Sequence, residues 1–144
     1  RATFLGMTMD TTRSDMVQAV LEGVAFAIRD SFEVAKTLGI HIERSKVCGG
    51  GAKSPLWRKI FANVLNLPLD IPQTEEGPGY GGAMLAMVGC GLYASVKDCA
   101  DALVTVRETV TPAPEIAARY EKQYQSFRDI YPTLKPLFAK LQEQ

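Results

Sequence analysis

The sequence is poor in the residues that most often carry chemistry: one histidine, one tryptophan and three cysteines in 144 residues. The single His41 has no clustered cysteine or carboxylate partner, so a metal site or an acid–base role built on it is not expected, and it reads as the start of a strand. Cys48, Cys90 and Cys99 are odd in number and lack CxxC spacing, which argues against a disulfide framework; they read as buried free thiols in a reducing compartment. Charge of one sign is also lacking. Sixteen basic residues balance sixteen acidic ones, which removes the net electrostatic drive toward nucleic acid or an anionic membrane. No apolar run approaches the ~20 residues of a spanning helix, and no signal-peptide layout opens the chain. A cytoplasmic setting follows, with no nucleic-acid and no membrane partner.

Glycine, by contrast, is concentrated where it matters. The stretch Val47-Cys48-Gly49-Gly50-Gly51-Ala52-Lys53-Ser54-Pro55 runs from an apolar strand through three glycines to a helix start. Ser54 can accept a hydrogen bond from an orphan helix N–H, and Pro55 suits the first helical position, where no N–H is needed. Three glycines before that cap remove the side chains that would hold a ligand off the backbone and permit φ > 0. Bare amides at the positive end of a helix suit a phosphate. The alternative is a tight strand-to-helix turn without a ligand. A GxxxxGK[ST] loop is excluded, because Val47 and Ala52 stand where it requires glycine. The dinucleotide pattern GxGxxG is met by Gly77, Gly79 and Gly82, but Glu75 and Glu76 directly before it would repel a pyrophosphate.

Along the chain, residues 4–7 read as a short strand and Thr12 with Asp15 as a capping box. A helix over 14–38 follows, with Met16, Val20, Gly23, Val24, Ala27, Ile28, Ala35 and Leu38 as its buried stripe and Gly39 as its left-handed end. Glu22 beside that stripe reads as a partnered structural carboxylate rather than a catalytic one. A strand over 40–47 delivers the glycine loop. The helix over 55–66 has Leu56, Ile60, Val64 and Leu67 on one face, and its Trp57 reads as a packed aromatic rather than a base-stacking one. Residues 67–71 read as an edge strand because of Pro68, 80–89 as a helix flattened by small residues, and Ser95 with Asp98 as the cap of a helix ending near 103. Val104, Val106 and Val110 mark an extended edge segment. A last helix over 115–141, docked through Tyr120, Tyr124, Phe127, Ile130 and Tyr131, should be kinked or interrupted at Pro132 and Pro136. Strands alternating with helices make the chain α/β, of a size for one domain that buries roughly 70% of its unfolded surface. Its opening, Arg1-Ala2-Thr3-Phe4, lacks an initiator methionine and reads as a piece of a longer polypeptide.

Three motifs in order now carry a resemblance: Ala2-x-Phe4-x-Gly6-Met7 leading to Asp15-Met16-x-x-Ala19-Val20-Leu21-Glu22; Cys48-Gly49-Gly50-Gly51-Ala52-Lys53-Ser54-x-x-Trp57; and Glu76-Gly77-Pro78-x-Tyr80-Gly81-Gly82-Ala83. On these three motifs the chain, over almost its whole length, resembles the C-terminal part of the FGGY family of carbohydrate kinases, most closely its xylulokinase branch. The resemblance implies a ribonuclease H-like, actin-like ATPase fold and the C-terminal lobe of a two-lobe sugar kinase using ATP and Mg2+, with residues 1–144 forming that lobe. It implies phosphorylation of D-xylulose to D-xylulose 5-phosphate, with other FGGY sugars (ribulose, glycerol, gluconate) or a non-catalytic nucleotide-binding or assembly module as alternatives. Gly49, Gly50, Gly51, Ala52 and Ser54 would contact ATP; the catalytic aspartate and most sugar contacts would belong to the upstream chain, so no catalytic residue is expected here. Implied partners are ATP or ADP, a sugar, the N-terminal lobe and, as an open option, a second copy in a homodimer. Gly79 and Gly82 stand where relatives often have alanine, and Ser54 where glycerol kinases have asparagine.

Overall fold

The structure, a computed structural model, describes residues 3–74 and 77–142. They form α1 (Arg13–Thr37), β1 (Ser45–Lys46), a 3-10 turn (Gly50–Lys53), α2 (Pro55–Leu65), β2 (Leu69–Pro72), α3 (Gly77–Gly89), α4 (Val96–Leu103), β3 (Val106–Val110) and α5 (Pro114–Gln142). Two compact units are present, one drawn from Arg1–His41, Asn63–Asn66 and Ala113–Gln144, the other from Ile42–Ala62 and Leu67–Pro112.

In the first unit α1 starts where its capping box places it. Thr12 Oγ1 accepts the Asp15 amide at 3.2 Å, and the Asp15 carboxylate accepts the Thr12 amide at 2.8 Å. The helix ends with Gly39 at φ 77° and the Ile40 amide returning to the Ala35 carbonyl. The expected buried stripe is not the buried face. Ala25, Phe26 and Arg29 are buried, whereas Val20, Val24, Ile28 and Leu38 are exposed. Periodicity marks a helix's apolar side, but a partner must be present to cover it; among the described residues α5 covers the side of Phe26 instead. The Phe26 ring meets those of Tyr120, Tyr124 and Phe127 at centroid distances of 5.9, 6.0 and 5.3 Å. Asn63 Oδ1 accepts the Ala113 amide at 2.7 Å, fixing the approach to α5. That helix is continuous through Pro132 and Pro136 rather than interrupted. The two prolines are four residues apart, so the amides they remove lie on one face and the remaining ladder persists. Residues 4–7 form no strand.

The second unit is built on a mixed sheet, order β1-β2-β3, with β1 parallel to β2 and β3 antiparallel to it. The expected edge strand is thus the central one, with Leu69, Asp70 and Ile71 all buried. Pro68 does not prevent this, because it precedes the ladder and only its carbonyl is used, accepting the Ser45 amide at 3.2 Å. The buried Asp70 carboxylate accepts the Thr109 hydroxyl at 2.7 Å and Arg44 Nη1 at 3.2 Å, so that one side chain holds groups from both flanks of its strand. The expected strand over 40–47 shrinks to two residues, while α3 begins three residues earlier than expected, at Gly77. Ser95 caps α4 as read, its Oγ accepting the Asp98 amide at 3.1 Å, and β3 is an edge strand. Of the thiols only Cys99 is buried; Cys48 and Cys90 are exposed. No helix among the described residues is long and apolar enough to cross a membrane.

Candidate functional site

The glycine stretch forms one continuous structure between β1 and α2. The Val47 amide donates to the Asp70 carbonyl at 3.0 Å, carrying the parallel pairing just past the end of β1. Gly49 then turns the chain at φ 85°, ψ −174°, and the 3-10 turn closes with the Ala52 amide on the Gly49 carbonyl (3.1 Å) and the Ser54 amide on the Gly51 carbonyl (3.2 Å). Ser54 caps α2 as expected: its Oγ accepts the Trp57 amide at 3.3 Å and its carbonyl the Arg58 amide at 3.0 Å. Gly49, Gly50, Gly51 and Ser54 are therefore gathered at the N-terminus of an eleven-residue helix, whose dipole favours an anion. Ala52, at 1% exposure, is a core residue of this turn.

The three glycines stand there for different reasons. Gly49 needs its positive φ. Gly51 has an ordinary φ, but a Cβ on it would fall 2.7 Å from Trp57 Cζ3. Gly50 has an ordinary φ and nothing within 4 Å of where its Cβ would be. Neither backbone conformation nor internal packing calls for glycine at position 50.

Beside Cys48, a cleft of about 200 Å³ is lined by Lys46, Cys48, Thr74, Tyr80, Met84 and Val104 among others. Tyr80 is held there by its hydroxyl, which donates to the Leu103 carbonyl at 2.9 Å. The motif reading flagged Tyr80 and Gly81, but Met84 and Val104 carry no local signal, since only the fold brings α3 and the approach to β3 to the same place. The alternative dinucleotide reading is not supported: Gly77, Gly79 and Gly82 all lie within α3, leaving no glycine turn between a strand and its helix.

Two tyrosines in the other unit have raised pKa values. Burial, then a hydrogen bond to Glu22, pushes the Tyr120 hydroxyl up to about 12; burial and Asp30 do the same to Tyr124. Glu22 Oε1 accepts Gln18 Nε2 and the Tyr120 hydroxyl, each at 2.7 Å, which makes it the partnered carboxylate expected from sequence. The trough of about 580 Å³ beside it, lined by Phe4, Leu5, Val20, Phe127 and Ile130, is mainly apolar.

A family model, that of the FGGY family of carbohydrate kinases, C-terminal domain, matches residues 1–90. The chain belongs to the FGGY family. It is similar to a xylulose kinase of Staphylococcus epidermidis, 33% identical over 141 residues that cover 98% of this chain and 28% of the relative. A ribulokinase of Mycolicibacterium smegmatis is 32% identical over 128 residues, 88% of this chain and 23% of that protein. Among solved structures, xylulose kinase from Rhodospirillum rubrum superposes with a TM-score of 0.82 at 34% identity, covering 95% of this chain and 28% of that one. The fold is that of the FGGY C-terminal lobe, of the actin-like ATPase type, and the chain spans about a quarter of the length of these relatives.

Proposed function

We propose that this chain is the nucleotide-binding lobe of an ATP-dependent sugar kinase, with D-xylulose as the sugar. Similarity to xylulose kinases supports the substrate, and ribulose is the next candidate, given the ribulokinase. The observation that carries the nucleotide reading is Gly50. A glycine that neither φ nor packing requires, at the mouth of a capped helix, is explained if a ligand needs the bare backbone. The phosphates of ATP would lie against the amides of the turn over Gly49 to Gly51. The cleft at Cys48 and Tyr80 is below the ~300–1,000 Å³ of complete ligand sites, so it would take only part of the nucleotide, its base.

Phosphoryl transfer depends mainly on positioning and on neutralising charge that develops on the transferred group. The turn contributes fixed backbone dipoles that need no reorganisation, and Ser54 and Pro55 hold those dipoles on the helix axis. Mg2+ would accompany the nucleotide. Among the described residues no group of three or more His, Cys, Asp or Glu could hold it, so no residue here is given that part. The general base that deprotonates the sugar hydroxyl, and the other phosphate-binding elements, would come from the N-terminal lobe, with closure of the two lobes completing the site.

Gly50→Val in the full-length enzyme is expected to raise KM for ATP about tenfold, through a clash of the kind overpacking produces, with KM for the sugar little changed. Equal changes in both, or none in either, would overturn the assignment.

A further inference from the structure

We infer that Trp57 is a positioning residue for the nucleotide turn, and that Gly51 is bare in order to seat its indole rather than to admit a ligand. This rests on the nucleotide reading of the turn. Gly51 has an ordinary φ, so alanine would suit its backbone, yet an added Cβ would meet Trp57 Cζ3 at 2.7 Å and Cε3 at 2.9 Å. Both are ring carbons, and the ring has little freedom to withdraw. It stacks on Phe61, itself buried, with centroids 5.4 Å apart and planes at 30°. At its root the Trp57 amide is held by Ser54 Oγ at 3.3 Å. The indole is thus fixed from two directions, and its edge forms the surface on which the 3-10 turn rests. Pushing Gly51 away from that edge would rotate the peptide between Gly50 and Gly51, and with it the amides offered to the phosphates. Trp57 then acts through the turn and does not touch the nucleotide; one face of its ring is already taken by Phe61.

Two single variants and their combination in the full-length enzyme test this. Gly51→Ala is expected to raise KM for ATP about tenfold, as an overpacked contact does, with KM for the sugar within about twofold. Trp57→Leu removes Cζ3 and Cε3 and is expected to raise KM for ATP by about threefold, because the turn loses its support. In the double variant the added methyl meets no ring carbon, so KM for ATP should return to within about twofold of Trp57→Leu alone, a coupling of the size contacting residues show. Additive losses would mean that the methyl blocks the ligand itself, and the inference fails. A fall in melting temperature with both KM values unchanged would show a merely structural contact and would also overturn it. If Gly51→Ala does not fold, Trp57→Leu alone decides: an unchanged KM for ATP rejects the positioning role. Absence of any ATP-dependent activity in the unmodified enzyme is a separate outcome, and rejects the nucleotide reading underneath.

Discussion

Arg29 lies over the ring of Tyr124, its Cζ 4.1 Å from the ring centroid, while its guanidinium binds three further partners. Nη1 donates to the Val64 carbonyl at 3.0 Å, Nε to Glu33 at 3.3 Å and Nη2 to Glu121. Val64 is in the last turn of α2, where carbonyls have no intrahelical partner and a cation is favoured. One buried arginine therefore closes α2 and fastens α1 to α5.

Removing that group should be costly, because the buried Val64 carbonyl would lose its partner and the contact with the Tyr124 ring would go with it. Arg29→Met is expected to lower stability by about 1–3 kcal/mol, the cost of leaving a buried acceptor without its partner. Arg29→Lys should restore little, since an ammonium cannot span the same set of acceptors. Urea unfolding of the three proteins checks this; a loss below about 0.5 kcal/mol for Arg29→Met, the size of an ordinary surface change, would refute it.

Stability should also fall at high pH through Tyr120 and Tyr124. Their hydroxyls ionise near 12 in the fold, raised by burial first and by Glu22 and Asp30 next, against about 10 in an unfolded chain. A raised value means that the folded state holds the proton more tightly. The contribution is complete below pH 10 and is lost as pH rises toward 12. Absorbance titration should show two of the five tyrosines ionising late, and Tyr124→Phe should flatten the alkaline arm of the stability curve. A titration without late tyrosines would remove the basis for this.

Gly49 separates backbone need from ligand need. Gly49→Ala places a Cβ at φ 85° and is expected to cost about 1–2 kcal/mol in left-handed strain. Gly50→Ala, with an ordinary φ and open space around it, should cost less than about 0.5 kcal/mol. Trp57→Leu should not relieve the Gly49 variant. Thermal melts of the set measure all three effects, and equal costs at 49 and 50 would contradict the distinction.

What could be read from the sequence was mostly local. Thr12 with Asp15, Ser54 with Pro55, Ser95 with Asp98 and Gly39 each fix a helix end within four residues, and each stands where spacing placed it. The glycine turn was legible for the same reason, and so was the α/β class. Whatever depends on distant partners was not. Val20, Val24 and Ile28 form an apolar stripe whose cover is not among the described residues. The central position of β2 depends on β1 and β3 pairing from either side, which Pro68 could not reveal. The exposure of Cys48 and Cys90 is likewise set by neighbours distant in sequence. Trp57 is packed, as its place on the helix suggests, but its closeness to Gly51 depends on how tightly the 3-10 turn closes, which residue types alone do not specify.

The ties between α1 and α5 join residues far apart in synthesis: Asp30 to Tyr124 is a separation of 94 and Glu22 to Tyr120 of 98. The segments Ile42–Ala62 and Leu67–Pro112, which hold the sheet, are made between the two helices. At about 5–20 residues per second, α1 leaves the ribosome roughly 5–20 seconds before α5 can reach it. Throughout that interval Phe26 has none of its three ring partners and Arg29 lacks Glu121, while the strands of the sheet are made one after another. α1 therefore gains its contacts with α5 only after every strand of the sheet has been made.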